Sequence, residues 1–357
     1  MGSGVTGERL IRPEALESFL RAVFAAAGLP AAEAAIMAEA LLRADLRGMH
    51  SHGAVRVPIY VAKIRAGGFR PGRAGRVLKD GPAIRLIDAE NGIGQVFAMR
   101  AMDEAIAKAR GQGIGACGVI DSNHFGEGAP YVMRAAEAGM VGLIATNSAA
   151  IMPVWGGRVP MTGPLPVTIA APAGRHPPFV LDAALGATSR GKLLVAAAEG
   201  QKVPMGVGTD AAGRPTDDPR AILDGGAILP IGGHKGWGMI LALEILSGVL
   251  TGGAIGTELR DMFDPDRGAP QRLGHFAIAI DIAHFMPLET FLARMDALIE
   301  GIKASERAEG VSEILIPGEI EHRREAERRR TGVPLGPGLI AELDALAAGL
   351  GVADRLG

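Results

Sequence analysis

The feature that most constrains the fold is a change of apolar period along the chain. From Arg12 to about Gly68, apolar residues recur three and four apart through ALESFLRAVFAAAG and AAEAAIMAEALLRADLRG, the spacing of amphipathic helices. Gly28 and Pro30 punctuate the two, and Pro13 stands where a first helical turn tolerates a missing N–H. Pro58 opens a third helical stretch, IYVAKIRAG, closed by Gly67. From about Pro71 to Phe285, short β-rich runs alternate with helical ones. The strand candidates are 83–88, 117–121, 141–146, 167–172, 179–184 and 275–282, and helices are expected at 96–110, 128–138, 191–200 and 235–251. From Pro287 the helical period returns, broken by a loop at Ile314–Glu319 (ILIPGE). The expected architecture is an α/β core (71–286) flanked by an N-terminal helical region (1–70) and a C-terminal one (287–357) that packs with it. No internal repeat is visible.

Composition narrows the class. With 357 residues, 48% hydrophobic and 21% charged, the chain can bury a sizeable core and is not disordered. A net charge of -2 and 4% aromatics argue against nucleic acid as a partner. The one basic run, Arg323–Arg330, is broken by Glu325 and Glu327 and reads as a solvated helix face. Cys117 is the only cysteine, so no disulfide forms within the chain, and its setting in ACGVI is that of a small core residue. No apolar stretch reaches the ~18 residues of a membrane span, and MGSGVTGERL lacks the pattern of a secretory signal. A soluble, cytoplasmic protein with no membrane partner is expected.

The glycines of Gly111–Ala116, GQGIGA, match the spacing of a dinucleotide-binding fingerprint. That fingerprint requires a strand before the glycines and a helix after them, whose N-terminus faces the pyrophosphate. Here the helical run AMDEAIAKAR comes first and the strand ACGVI follows. The motif is a helix-to-strand turn, which excludes an ordinary Rossmann reading.

Chemistry gathers instead at Asp45–Gly68 (DLRGMHSHGAVRVPIYVAKIRAGG) and Asp121–Gly128 (DSNHFGEG). Histidine titrates near neutral pH and can give and take a proton in turnover. His124, at a strand end beside Asn123 and Gly126, and His52, beside Ser51 and Gly53, are the candidate acid/base groups. Arg56 can grip a carboxylate through a bidentate pair. Tyr60, in the first turn of the third helix, serves equally as core or as ligand contact. A serine nucleophile has no elbow motif here. Asp182 ends a strand, where it can bond a cofactor or cap a helix. Gly232–Gly238 (GGHKGWG) opens a helix, and its amides with Lys235 suit a phosphate. His50, His52, His124 and Asp182 form no familiar metal-ligand spacing, so no metal is expected.

Taken together, LRGMHSHGAVRVPIY, DSNHFGEGAPYVMRAAEAGMVGLIATNS, DAALGATSRGK, GRPTDDP, GGHKGWGMILALEILSGVLTGG and ILIPGE resemble, in order and spacing, motifs of the type-2 malate/L-lactate dehydrogenase family. That family includes ureidoglycolate and sulfolactate dehydrogenases and cyclic imino-acid reductases. The resemblance spans roughly residues 10–335. It implies a non-Rossmann NAD(P)-binding fold with a mixed, largely antiparallel sheet, usually a homodimer. It implies hydride transfer between nicotinamide (NAD or NADP) and a small 2-hydroxy/2-oxo acid, or a 2-imino acid. By position it makes His124 the acid/base, with His52, Ser51, Arg56 and Tyr60 facing the substrate. Arg272 adjoins a position that carries a substrate-binding arginine in some members. His124, Asp182, Ala183, Ala184, Lys235 and Gly318 match cofactor-proximal positions.

The chain departs from that pattern at Gly163-Pro164-Leu165-Pro166, where the family commonly reads GTNP. It departs again at Asp182–Gly186, which loses hydroxyls, and at His50, where an acid often precedes SHG. The changes at 163–166 and 182–186 motivate one alternative, a catalytically reduced member that binds a ligand or cofactor without turnover. A further alternative, independent of them, is a metal-dependent hydrolase or lyase built on His50, His52 and His124.

Overall fold

The computed structural model describes residues 7–357. The chain runs β1 (Arg9–Ile11), α1 (Pro13–Ala26), α2 (Ala31–Arg47), two 3-10 turns (His50–His52 and Ala54–Arg56) and α3 (Val57–Ala66). The middle is β2 (Arg76–Asp80), β3 (Ile84–Asp88), α4 (Gly94–Gln112), β4 (Ile114–Ser122), α5 (Ala129–Glu137), β5 (Met140–Thr146), β6 (Met152–Pro153), β7 (Pro160–Thr162), β8 (Pro166–Ala171) and β9 (Phe179–Ala184). Then come α6 (Arg190–Glu199), β10 (Gly208–Thr209), α7 (Pro219–Leu223), β11 (Ala227–Ile228), α8 (His234–Glu244) and β12 (Leu273–Asp281). The chain closes with α9 (Leu288–Lys303), α10 (Glu319–Thr331), β13 (Val333–Leu335) and α11 (Pro337–Gly349).

Every strand and helix expected from period appears; β4 and α4 are several residues longer than expected, α8 gives way to a π turn at Ile245, and the other ends fall within two residues of those expected. Gly113 caps α4 and β4 starts one residue later, so the GQGIGA segment is the helix-to-strand turn its order implied. The central sheet has seven strands in the order β2-β3-β4-β12-β5-β8-β9. Only β3 and β4 run parallel; the other five pairings are antiparallel. The sheet is therefore mixed and largely antiparallel, and β12 inserts between β4 and β5 although it lies more than 120 residues after both in sequence.

Alternation along the strands sends residues to two faces. Ile144 and Ala170 pack with Ala98, Met102 and Val132 beneath α4 and α5, while Ala145 and Val167 pack with Ile240 and Leu243 of α8. A separate apolar cluster joins Leu20, Phe24 and Leu41 of α1 and α2 to Tyr60 and Ile64 of α3, and to Val333, Leu335, Ile340 and Leu343 near the C-terminus. β1 and β13 pair antiparallel within it. The helix α9 lies elsewhere: its Asp296 carboxylate accepts the N–H groups of Gly174 and Arg175, in the connection after β8. The basic run lies on α10, where Arg323 pairs with Glu319 and Arg329 with Glu325. Cys117 is buried in the sheet, and burial pushes its thiol up to about 12, so it has no nucleophilic role.

Candidate active site

The loop that carries Ser51, His52 and Arg56 is held from below by Asp45. This carboxylate, 1% exposed in the last turns of α2, takes the Ala54 N–H at 2.7 Å and faces His50 Nδ1 at 2.9 Å. Gly53 makes the fit possible: a Cβ there would stand 2.1 Å from the Asp45 carboxylate. The loop therefore passes over the acid as two tight turns, with Ser51 and His52 projecting from it. His50, the residue at the departed position, is the partner of that acid.

His124 emerges just past β4. Its backbone N–H donates to Gln271 Oε1 at 3.0 Å, and Asn123 Nδ2 donates to the Gly92 carbonyl at 2.8 Å. The start of α4 packs directly against this segment, because Gly94 leaves room; a Cβ on it would lie 2.2 Å from the Asn123 carbonyl oxygen and 2.3 Å from that of His124.

The two segments meet. The imidazoles of His52 and His124 stack at 5.7 Å between centroids and 17° between planes. Ser51 Oγ lies 2.9 Å from His52 Nδ1, and Tyr60 Oη 2.7 Å from His124 Nδ1. The Gly126 N–H also donates to His124 Nδ1, at 3.3 Å. An amide N–H can only donate, so that nitrogen carries a lone pair and the neutral ring bears its hydrogen on Nε2. Tyr60 is wholly buried, so it meets the site through His124. Arg56 Nε donates to the Ser51 carbonyl at 2.6 Å, and Phe263 covers the guanidinium at 5.2 Å. No carboxylate among the described residues pairs with Arg56, which leaves its terminal N–H groups for a ligand anion.

Electrostatics follow from this crowding. Burial first, then the Arg56 charge, lowers His52 to about 4. Burial, His52, Arg56 and His275 together hold His124 well below the usual histidine value. Both rings are neutral in the free protein at pH 7. An anion on Arg56 cancels a charge that holds them down, so proton affinity rises when a carboxylate binds.

On the far side, Asp182 directs its carboxylate inward. Oδ2 accepts the N–H groups of Gly128 and Ala129, each at 2.8 Å, and Oδ1 accepts the Thr168 hydroxyl at 2.9 Å. It caps α5 and thereby fixes the far end of the loop that starts at His124. Ala183 and Ala184 continue β9, the edge strand, and the loop before Gly318 closes on it through Val180 N–H to Pro317 O at 3.0 Å. Gly318 adopts φ 91°, with Val180 backbone atoms 3.0 Å from where a Cβ would be, so only glycine fits. Beyond Ala184 the chain pairs with the entry to α8: Ile231 N–H to Leu185 O at 2.9 Å and Ala187 N–H to Leu229 O at 2.8 Å. The helix has no side-chain cap, and Lys235 stands exposed in its first turn. Bare amides, the positive helix end and a lysine beside a strand of small residues suit a dinucleotide's phosphates. Arg272 turns toward Asp121, Nε to Oδ1 3.5 Å, one residue from the Gln271 that holds His124. Among the described residues no three of His, Cys, Asp or Glu gather as metal ligands.

Residues 11–344 match the model of the malate/L-lactate dehydrogenase family. The chain belongs to that family. Malate dehydrogenase of Pyrococcus abyssi is 36% identical over 98% of each chain. The Delta(1)-pyrroline-2-carboxylate/Delta(1)-piperideine-2-carboxylate reductase of Pseudomonas putida is 36% identical over 89% of this chain and 91% of its own. The solved structure of sulfolactate dehydrogenase from Methanocaldococcus jannaschii superposes with a TM-score of 0.91 at 36% identity, covering 96% of this chain and 98% of that one. As a member of the malate/L-lactate dehydrogenase family, the protein is an oxidoreductase. At the departure from the family's GTNP pattern, Leu165 is fully buried in the apolar cluster with Val167, Leu185 and Ile240, so packing stands where polar groups were expected.

Three structural residues of this site lay outside the sequence reading. Asp45 carried no signal beyond its charge. Glu127 pairs with Arg47 at 3.0 Å, both side chains 3% exposed, and burial pushes the acid up to about 7. Gln95, next to Gly94, is fully buried beside Tyr60.

Proposed function

We propose that this enzyme transfers a hydride between NAD(P) and a small 2-hydroxy/2-oxo acid, at the site formed by Ser51, His52, Arg56, Tyr60 and His124. The observation that carries it is the stacked imidazole pair 5.7 Å apart beside a guanidinium whose terminal N–H groups meet no carboxylate among the described residues. A 2-oxo acid presents the two matching features on adjacent carbons, a carboxylate and a carbonyl oxygen. Arg56 takes the carboxylate, and His124 Nε2 faces the oxygen and handles its proton. His52, oriented by Ser51, lines the same pocket, and Tyr60 holds the far nitrogen of His124. Nicotinamide, when bound, supplies or accepts the hydride at the substrate's C2.

The cofactor side is assigned to Asp182, Ala183, Ala184, Gly318, Lys235 and the face of His124 turned from the substrate. Asp182 acts there by capping α5, the alanines by leaving room, and Lys235 by charge. Arg272 is assigned to the rim on the substrate side. Residues to about 70 then form the substrate-facing unit and residues 71–286 the cofactor-facing one. A cyclic 2-imino acid offers the same carboxylate beside a C=N bond, and the reductase among the relatives favours it as the second substrate class.

The reading includes a homodimer in the cytoplasm. Met239, Ile245, Val249 and Leu250, on α8 and the π turn that continues it, are 47–62% exposed on one apolar stretch, a surface suited to a second copy. No helix among the described residues is long and apolar enough to cross a membrane.

The test is oxidation of NADH and NADPH, followed by absorbance, against pyruvate, oxaloacetate, sulfopyruvate, other 2-oxo acids and cyclic imino acids. Turnover with one of them names substrate and cofactor together. Cofactor binding with no turnover across the panel overturns the catalytic reading in favour of a binding-only member.

A further inference from the structure

Gln95 is fully buried, yet among the described residues neither its Oε1 nor its Nε2 has a hydrogen-bond partner. Such an amide costs folding free energy, because its bonds to water are lost without replacement. It sits in the first turn of α4, the turn that Gly94 allows to pack against the carbonyls of Asn123 and His124. Its Nε2 lies 3.6 Å from where a Cβ on Gly126 would be, and its amide faces the Tyr60 hydroxyl without making a bond of good geometry. Gln95, Tyr60 and His124 thus form a short polar line running inward from the site.

We propose that Gln95 is a positioning residue, the partner of the Tyr60 hydroxyl in both of its orientations, which lets Tyr60 follow His124 through a change of protonation. The inference rests on the role given to His124 above. With the ring neutral, Nδ1 accepts, so Tyr60 donates its O–H to Nδ1 and Gln95 Nε2–H donates to the phenol oxygen. With the ring protonated, Nδ1–H donates to that oxygen, and the phenol O–H turns to Gln95 Oε1. The ring takes its second proton from solvent before the substrate oxygen takes the Nε2 proton, and is then left neutral with Nδ1–H still donating to the phenol oxygen; the hydrogens of Tyr60 and Gln95 stay on their own atoms. The amide of glutamine offers donor and acceptor together, without charge, at this reach from the backbone; glutamate offers only acceptors when ionised, and methionine, of comparable size, has no donor and only a weak acceptor. The charged and titratable groups facing His124 are His52, Arg56, His275 and Tyr60, and none of them is altered by replacing Gln95.

The first measurement needs no substrate. With histidine labelled in ¹⁵N, the His124 ring is expected in the Nε2–H form at neutral pH in the full-length protein. In Gln95→Glu it shifts toward an Nδ1-protonated ring, with the titration midpoint raised about tenfold in proton affinity. An unchanged His124 spectrum in Gln95→Glu overturns the proposal whether or not the enzyme turns over any acid. Kinetically, Gln95→Met is expected to lower kcat about tenfold at unchanged KM while the melting temperature holds or rises. In a Tyr60→Phe background the same substitution is expected to cost nothing further. An equal loss in both backgrounds, or a loss confined to KM, shows that Gln95 acts through packing and overturns it.

Discussion

The proposed substrate side and the proposed cofactor side of this site are made of different materials. On the substrate side, side chains carry the chemistry: two imidazoles, a guanidinium, a serine and a phenol bond to one another and leave their outer ends for a ligand. On the cofactor side, the one acidic candidate is turned inward, and what faces outward is alanine, glycine and uncapped helix N–H. A small acid needs a few strong directional contacts and a proton. A large dinucleotide can be held by many weak contacts and needs chiefly room. Substitutions should therefore act sharply on one side and diffusely on the other.

The largest effect is expected at His124. His124→Ala should lower kcat by about 10²–10⁴-fold, the usual worth of a placed acid/base group, with cofactor Kd by fluorescence nearly unchanged. Undiminished kcat would break the substrate-side half of the comparison. Arg56→Lys keeps the charge but loses the planar fork, and kcat/KM for the best acid should fall about 10–100-fold. Asp182→Ala is the sharpest test of the contrast. Loss of the α5 cap should cost about 1–2 kcal/mol of stability, read in urea, with cofactor Kd moving far less; a large loss of affinity in a fully folded variant would return Asp182 to direct cofactor contact. Lys235→Gln should weaken NAD(P) only several-fold, more at low salt than at high, as a partly screened charge does.

The smallest effect is on stability against pH. His52 has its folded value lowered to about 4 from an ordinary 6.5, so between those values the unfolded chain binds more protons and the fold loses stability as pH falls. His124 and His275, the latter lowered to about 3, act in the same direction. Glu127, raised to about 7, acts oppositely between about 4.5 and 7, because there the folded state holds the extra proton. The melting temperature should fall from pH 6.5 toward 4, and His52→Asn should flatten the slope by a few degrees.

What was legible in the sequence was local. Apolar period is a property of neighbours within one or two turns, and it marked α1 to α6, α8 and six of the seven strands of the central sheet. The strands it missed lacked that signal. β2 is an edge strand exposed along its whole length, so it shows no alternation of apolar and polar residues. β1 and β13 are three residues each and exist only because they meet each other across the whole chain. The motifs likewise marked Ser51, His52, Arg56 and His124, whose side chains are useful because they are polar on glycine-rich loops.

Spacing along single segments was enough for the helices and strands with a clear apolar period, for the exclusion of a Rossmann turn at GQGIGA and for picking out the polar residue types of the proposed substrate side. Tertiary structure alone decided that β12 enters between β4 and β5, that Asp45 braces the HSHG loop and that Asp182 faces α5. It alone brought Gln95 beside Tyr60, 35 residues away in sequence. A carboxylate or an amide reads the same in any segment. Whether it binds a ligand, caps a helix or steadies a catalytic ring depends on which N–H and O–H groups the packed core brings within about 3 Å of it.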